Sequence, residues 1–297
     1  MSKNAQKHIV IGGCSFTQHE RLETWHHSVK RDFSENTRLH SSGIGGAGNY
    51  VISTMCINKV SELLKSGASP EDILVITQWS GVSRKSFIGD SRPSVLSVAF
   101  HQCESENEIK SLASKNGSSK FCWDIGKKNN IGYWTNYKDN YWSDEAAFIE
   151  TLENILRTQW FLKSSNIKFL MFLGWDLFTN SDTGSHMHTS PRGWFKANDS
   201  RGQWDKNTPY RNKENDLLKD LYPWSAHLWN MIDFSHFTFF ENESVKLGGM
   251  IQWGQYNLDS KKWYCGDSDP HPSRYVQDGF YLNHVKPWVE DNIKDDS

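Results

Sequence analysis

His8-Ile9-Val10-Ile11-Gly12-Gly13-Cys14-Ser15-Phe16-Thr17 sets the pattern for the rest of the chain. Its short apolar run reads as a buried strand, and the two glycines that stop it read as a tight turn. Ile73-Leu74-Val75-Ile76 and Ile167 to Leu173 repeat the pattern, the last closed by Gly174. Helical spacing lies between them. Val51, Ile52, Met55, Ile57, Val60, Leu63 and Leu64 recur on one face from Asn49 to Lys65, and Gly67 and Pro70 end that run. Phe148, Leu152, Ile155, Leu156, Trp160 and Leu162 give Asp144 to Ser164 an apolar face, with Ser143 or Asp144 placed to cap it. Pro272 to Ile293 reads as a final helix with Val276, Phe280, Val285 and Val289 apolar, kinked or divided at Pro287. Alternation of strands and helices predicts an α/β domain with a parallel sheet covered on both faces. Ligands of such sheets sit beyond the carboxyl ends of the strands. Residues 85–143 and 176–245 break the rhythm, and we read them as insertions within a single domain of 297 residues.

Composition narrows the function. Hydrophobic residues make up 37% of the chain, enough for a core at this length. A formal net charge of -2 leaves no electrostatic footprint for nucleic acid or an anionic membrane. The five cysteines, Cys14, Cys56, Cys103, Cys122 and Cys265, are scattered without CxxC spacing. That spread argues against a disulfide framework and a structural zinc site, and for a reducing compartment. Neither a signal peptide nor a transmembrane segment is expected. Seven of the fourteen tryptophans, Trp123, Trp134, Trp142, Trp194, Trp204, Trp224 and Trp229, stand in polar surroundings. They either pin loops to the body or present flat faces to sugar rings.

Two segments carry chemistry. A serine on the turn after the first strand, Ser15, would expose its hydroxyl above the sheet edge, and the glycines before it leave room for a substrate. At the other end, Asp267-Ser268-Asp269-Pro270-His271-Pro272 places a histidine between prolines, with carboxylates two and four residues earlier. A serine nucleophile needs a base, and the base needs a partner that fixes its tautomer. Read as ordinary structure, the same residues are a helix cap and a solvated acidic turn.

Together these segments resemble the SGNH (GDSL-like) hydrolase superfamily. The block Gly13-Cys14-Ser15-Phe16-Thr17 is similar to its nucleophile block, Ser42 to Asn49 to its glycine block, and Asp269-Pro270-His271-Pro272 to its closing block. Phage and bacterial members with a Gly-Cys-Ser-Phe-Thr opening and a Trp-Ser...Arg third block look nearest, and Trp79 and Arg84 fit that pattern. The resemblance implies a flavodoxin-like three-layer fold and a serine esterase without cofactor. Its nucleophile would be Ser15, its base His271 and the orienting carboxylate Asp269 or Asp267. The oxyanion would be bound by the N–H groups of Ser15 and Gly46 and by a side chain of the third block, Gln78 or Ser80. Trp79 and Arg84 would touch the substrate, a small-molecule or carbohydrate ester such as an O-acetyl sugar. The setting would be cytoplasmic or virion-associated.

The sequence departs from the family pattern in three places. Cys14 stands where the family has Asp, Thr77-Gln78-Trp79-Ser80 stands for Gly-x-Asn-Asp, and Ser268 occupies the usual Asp position three residues before the histidine. Other readings are a divalent metal on His186, His188 and Asp182, or on Asp267, Asp269 and His271; Cys14 as nucleophile; and a non-catalytic carbohydrate-binding or virion structural module on the same fold.

Overall fold

The computed structural model describes residues 6–18, 22–35, 37–82, 84–88, 95–99, 136, 140–179, 209, 211, 217–266 and 269–293. In chain order these form β1 (Lys7–Gly12), α1 (Trp25–Phe33), β2 (Thr37–Ser41), α2 (Asn49–Lys65), β3 (Ile73–Trp79), β4 (Arg84–Ile88) and β5 (Val95–Ala99). There follow α3 (Asp144–Ser164), β6 (Lys168–Leu173), α4 (Leu218–Leu221), α5 (Ala226–Met231), β7 (Phe237–Thr238) and α6 (Met250–Asn257). The chain closes with β8 (Tyr264–Gly266), β9 (Asp269–Pro272), α7 (Arg274–Phe280), a π-helical turn (Tyr281–Val285) and α8 (Lys286–Ile293).

Five parallel strands form the central sheet in the order β2-β1-β3-β6-β7. This is the flavodoxin-like α/β order, whose switch point lies between β1 and β3. Side chains alternate along each strand. Val10, Val75 and Met171 face a core shared with Val51, Cys56 and Val60 of α2 and Phe148, Leu152 and Ile155 of α3. Ile9, Ile11, Leu74, Ile76 and Phe172 face a second core with Trp25 of α1, Trp253 of α6 and Val276 and Phe280 of α7. Strands buried on both faces must read as continuous apolar runs, which is why β1, β3 and β6 stand out in the sequence.

Helices α2 and α3 keep the bounds that their apolar spacing predicts, and Ser143 caps α3 by accepting from the Ala146 N–H at 3.0 Å. Trp160 departs from expectation: it lies on the solvent side of α3, 53% exposed. The last helical run continues past Pro287. A proline cannot donate to the carbonyl one turn back and crowds it; the π-helical turn just before absorbs the mismatch. Residues 217–245, grouped with the second insertion in the sequence, include α5 and β7, the fifth strand of the sheet. No helix among the described residues is long and apolar enough to cross a membrane.

Candidate active site

Beyond Gly12 the chain makes a single turn. Both the Thr17 N–H (2.9 Å) and the Gln18 N–H (3.0 Å) donate to the Cys14 carbonyl. The turn ends at Gln18, and α1 begins at Trp25. A Cβ at Gly13 would stand 2.0 Å from Thr17 Oγ1, so this path requires glycine. Gln78, the penultimate residue of β3, lies fully buried beneath the turn. Its Oε1 accepts from the Cys14 N–H (3.3 Å), the Cys14 thiol (3.3 Å) and the Thr17 hydroxyl (3.1 Å). Its Nε2 donates to the Trp79 carbonyl. Full burial and these partners make the amide a brace of the turn, not the oxyanion donor that the family resemblance implies. Cys14, weighed as a nucleophile, is fully buried with its thiol turned onto that amide.

A second loop docks on the first. Ser42 N–H donates to the Ile11 carbonyl (2.8 Å) and Ile44 N–H to the Gly13 carbonyl (3.0 Å). The Ala47 N–H closes a turn onto the Ile44 carbonyl (3.0 Å), and Gly46 takes φ 78°, a left-handed value that favours glycine. Among the described residues, neither the Ser15 N–H nor the Gly46 N–H donates a hydrogen bond. Asn49 begins α2 and clamps the exit from β3. Its Oδ1 accepts from the Ser80 N–H (2.9 Å), and its Nδ2 donates to the Ser80 carbonyl (2.9 Å) and to Thr151 Oγ1 on α3 (3.1 Å).

His271 comes from the opposite end of the chain. It sits on β9, paired antiparallel with β8, and Ser273 ends the hairpin by capping α7. Ser273 N–H donates to the Trp263 carbonyl (3.1 Å), and its hydroxyl donates to the Lys262 carbonyl. Gln277 Oε1 on α7 accepts from the Trp25 N–H (3.2 Å), and the Trp25 indole N–H donates to Thr17 Oγ1 (3.2 Å). Trp25 thus ties Gln277, from the far end of the chain, to Thr17 in the turn that carries Ser15. His271 Nε2 lies 2.9 Å from Ser15 Oγ across 256 positions of sequence, with its ring edge-on to Phe16 at 5.6 Å. Ser15 is 8% exposed. Asp269 enters β9 opposite Gly266, whereas Asp267 lies outside the described residues.

Trp79 belongs to the α2–α3 core and is fully enclosed, so its ring presents no face to a substrate. Trp175, not among the residues expected from the sequence, packs against Phe16 with the rings tilted (5.0 Å) and lies under the Arg84 guanidinium (5.2 Å). The signal that could have found it was its place two residues after β6, at the same sheet edge as Ser15. Arg84 Nη1 also donates to Ser80 Oγ at 2.9 Å. Cys56 packs below Gly12, and burial pushes its thiol up to about 11, keeping it protonated and inert. Asp182, His186 and His188 lie outside the described residues, as do Cys103, Cys122, Trp123, Trp134, Trp194 and Trp204. Among the described residues no group of three or more His, Cys, Asp or Glu is arranged to hold a metal ion.

No family model matches the chain, and no curated protein does. Among solved structures it is similar to a crystal structure described as a "putative acylhydrolase" from Bacteroides fragilis NCTC 9343. That match has 15% identity and a TM-score of 0.24, over 61% of this chain and 73% of that one.

Proposed function

We propose that this chain is a serine esterase of the SGNH type. The observation that carries the reading is the 2.9 Å contact between Ser15 Oγ and His271 Nε2, the reach that proton transfer requires. In the proposed reaction Ser15 Oγ attacks the ester carbonyl while His271 Nε2 takes its proton. The tetrahedral oxyanion is met by the unengaged N–H groups of Ser15 and Gly46. His271 then returns the proton to the leaving alcohol, and water, activated by the same imidazole, releases the acid from Ser15. Asp269, or Asp267, is the carboxylate we assign to orient the imidazole. Gln78 acts from beneath by fixing the turn that aims Ser15. For the substrate we propose an O-acetyl group on a carbohydrate, on the strength of the tryptophan-rich segments.

Hydrolysis of p-nitrophenyl acetate tests the reading. Ser15→Ala and His271→Gln should each lower kcat by roughly a thousandfold or more. Equal rates for wild type and Ser15→Ala would remove the serine mechanism. A panel of acetylated sugars against longer acyl esters then tests the substrate class.

A further inference from the structure

We infer that Arg84 is a specificity-determining residue that selects esters carrying an anionic group close to the scissile bond. The inference rests on the esterase reading above and names the substrate chemistry of that site. Arg84 opens β4, four residues beyond Ser80, at the carboxyl edge of the sheet where Ser15 and His271 meet. Ring contacts run from the site to the guanidinium: His271 to Phe16 at 5.6 Å, Phe16 to Trp175 at 5.0 Å, and Trp175 to Arg84 Cζ at 5.2 Å.

Arg84 is half-buried, and its guanidinium is held by Ser80 and the Trp175 ring. Ser80, which accepts one of its N–H groups, is fully buried and clamped through its backbone by Asn49. Trp175 is 4% exposed and wedged against Gly81, whose Cβ would stand 2.9 Å from Cζ2 of the indole. Yet Arg84 has no carboxylate partner among the described residues, and Ser80 takes the one hydrogen bond its side chain makes there. Five N–H donors in a fixed fork match a carboxylate or phosphate two at a time. Partial burial of a charge without a counter-ion is unfavourable, so an anion at this position is favoured on both counts.

Arg157 shows the contrast. It also lacks a carboxylate partner among the described residues, but its donors go to Ser53 Oγ, the Tyr50 carbonyl and Thr54 Oγ1, stapling α3 to α2. Arg84 staples nothing comparable and keeps most of its fork open.

The test compares charged and neutral esters matched in shape. 4-Acetoxybenzoate against its methyl ester places the charge on the leaving alcohol; the mono-4-nitrophenyl ester of succinic acid against 4-nitrophenyl butyrate places it on the acyl group. Each kcat/KM is divided by the rate of hydroxide-catalysed hydrolysis. In wild type one of the two pairs should favour the charged ester by about tenfold or more, the scale of a charge-assisted hydrogen bond. Arg84→Gln should remove that ratio, mainly through KM, Arg84→Glu should invert it, and Arg84→Lys should retain part of it. A wild-type preference for the neutral ester in both pairs overturns the inference without any variant, as does a ratio that Arg84→Gln and Arg84→Glu leave unmoved. Hydrolysis that does not depend on Ser15 overturns the esterase reading itself.

Discussion

At the scale of single residues, the candidate site is a set of polar side chains whose partners leave them little freedom. Thr17 is the clearest case, since its hydroxyl donates to Gln78 and accepts from the Trp25 indole. Thr17→Val keeps the shape and deletes both bonds inside the protein, so we expect a loss of about 1–3 kcal/mol in urea unfolding. The p-nitrophenyl acetate rate should fall with it, because the turn that aims Ser15 loses a tie. Ser15 and His271 were legible because each is flanked by residues that constrain the backbone, Gly12 and Gly13 before one, Pro270 and Pro272 around the other. The role of Gln78 was not, because a sequence says nothing about which way an amide turns. Trp79 was partly legible: it continues the alternation of Ile73 and Val75, which places it in the α2–α3 core.

Elements differ in how plainly they declare themselves. β1, β3, β6, α2 and α3 are long or carry an unbroken apolar run, and appear in the sequence close to their true bounds. β2 is an edge strand of Thr-Arg-Leu-His-Ser, only partly buried, and β7 is two residues long; neither leaves a periodic signal. The pH response is also set by elements. His26 on α1 is pushed down to about 4, mainly by burial, with His27 and Lys30 adding to the effect. His284 in the π-helical turn is pushed down to about 4 by burial alone. Both rings are therefore kept neutral by the fold but protonate near 6.5 in the unfolded chain. Their contribution to stability is complete above that pH and declines as the pH falls toward 4. We expect the urea midpoint to drop between pH 7.5 and 4.5, and to drop less in the double variant His26→Asn, His284→Asn. Asp32 works in a lower window. Burial raises its carboxyl, but hydrogen bonds from Lys286, Tyr281 and Arg31 outweigh this and hold it below the usual range. Its tie of α1 to α8 survives until the pH falls below the ordinary carboxylate range.

Across the whole molecule, two cores on either side of one sheet decide whether distant segments meet. Phe172 on β6 touches Trp25 edge-on at 5.1 Å and Phe280 at 5.1 Å, so one ring packs against both helices that bracket the Ser15–His271 pair. Phe172→Ala should cost about 3–5 kcal/mol in urea unfolding, whereas a change at the exposed Trp160 should shift stability by less than about 0.5 kcal/mol. The sheet and its helices were legible from the chain's own periodicity. The meeting of Ser15 with His271 was not: no spacing rule links residues 256 apart, and only the likeness of the blocks to a known family pointed to it. That separation bears on how the molecule is made. While the ribosome still covers the β8–β9 hairpin and the helices after it, the emerging polypeptide already owns its hydroxyl but lacks the imidazole. On the esterase reading, each nascent copy stays chemically silent until the segment that carries His271 has emerged to meet Ser15.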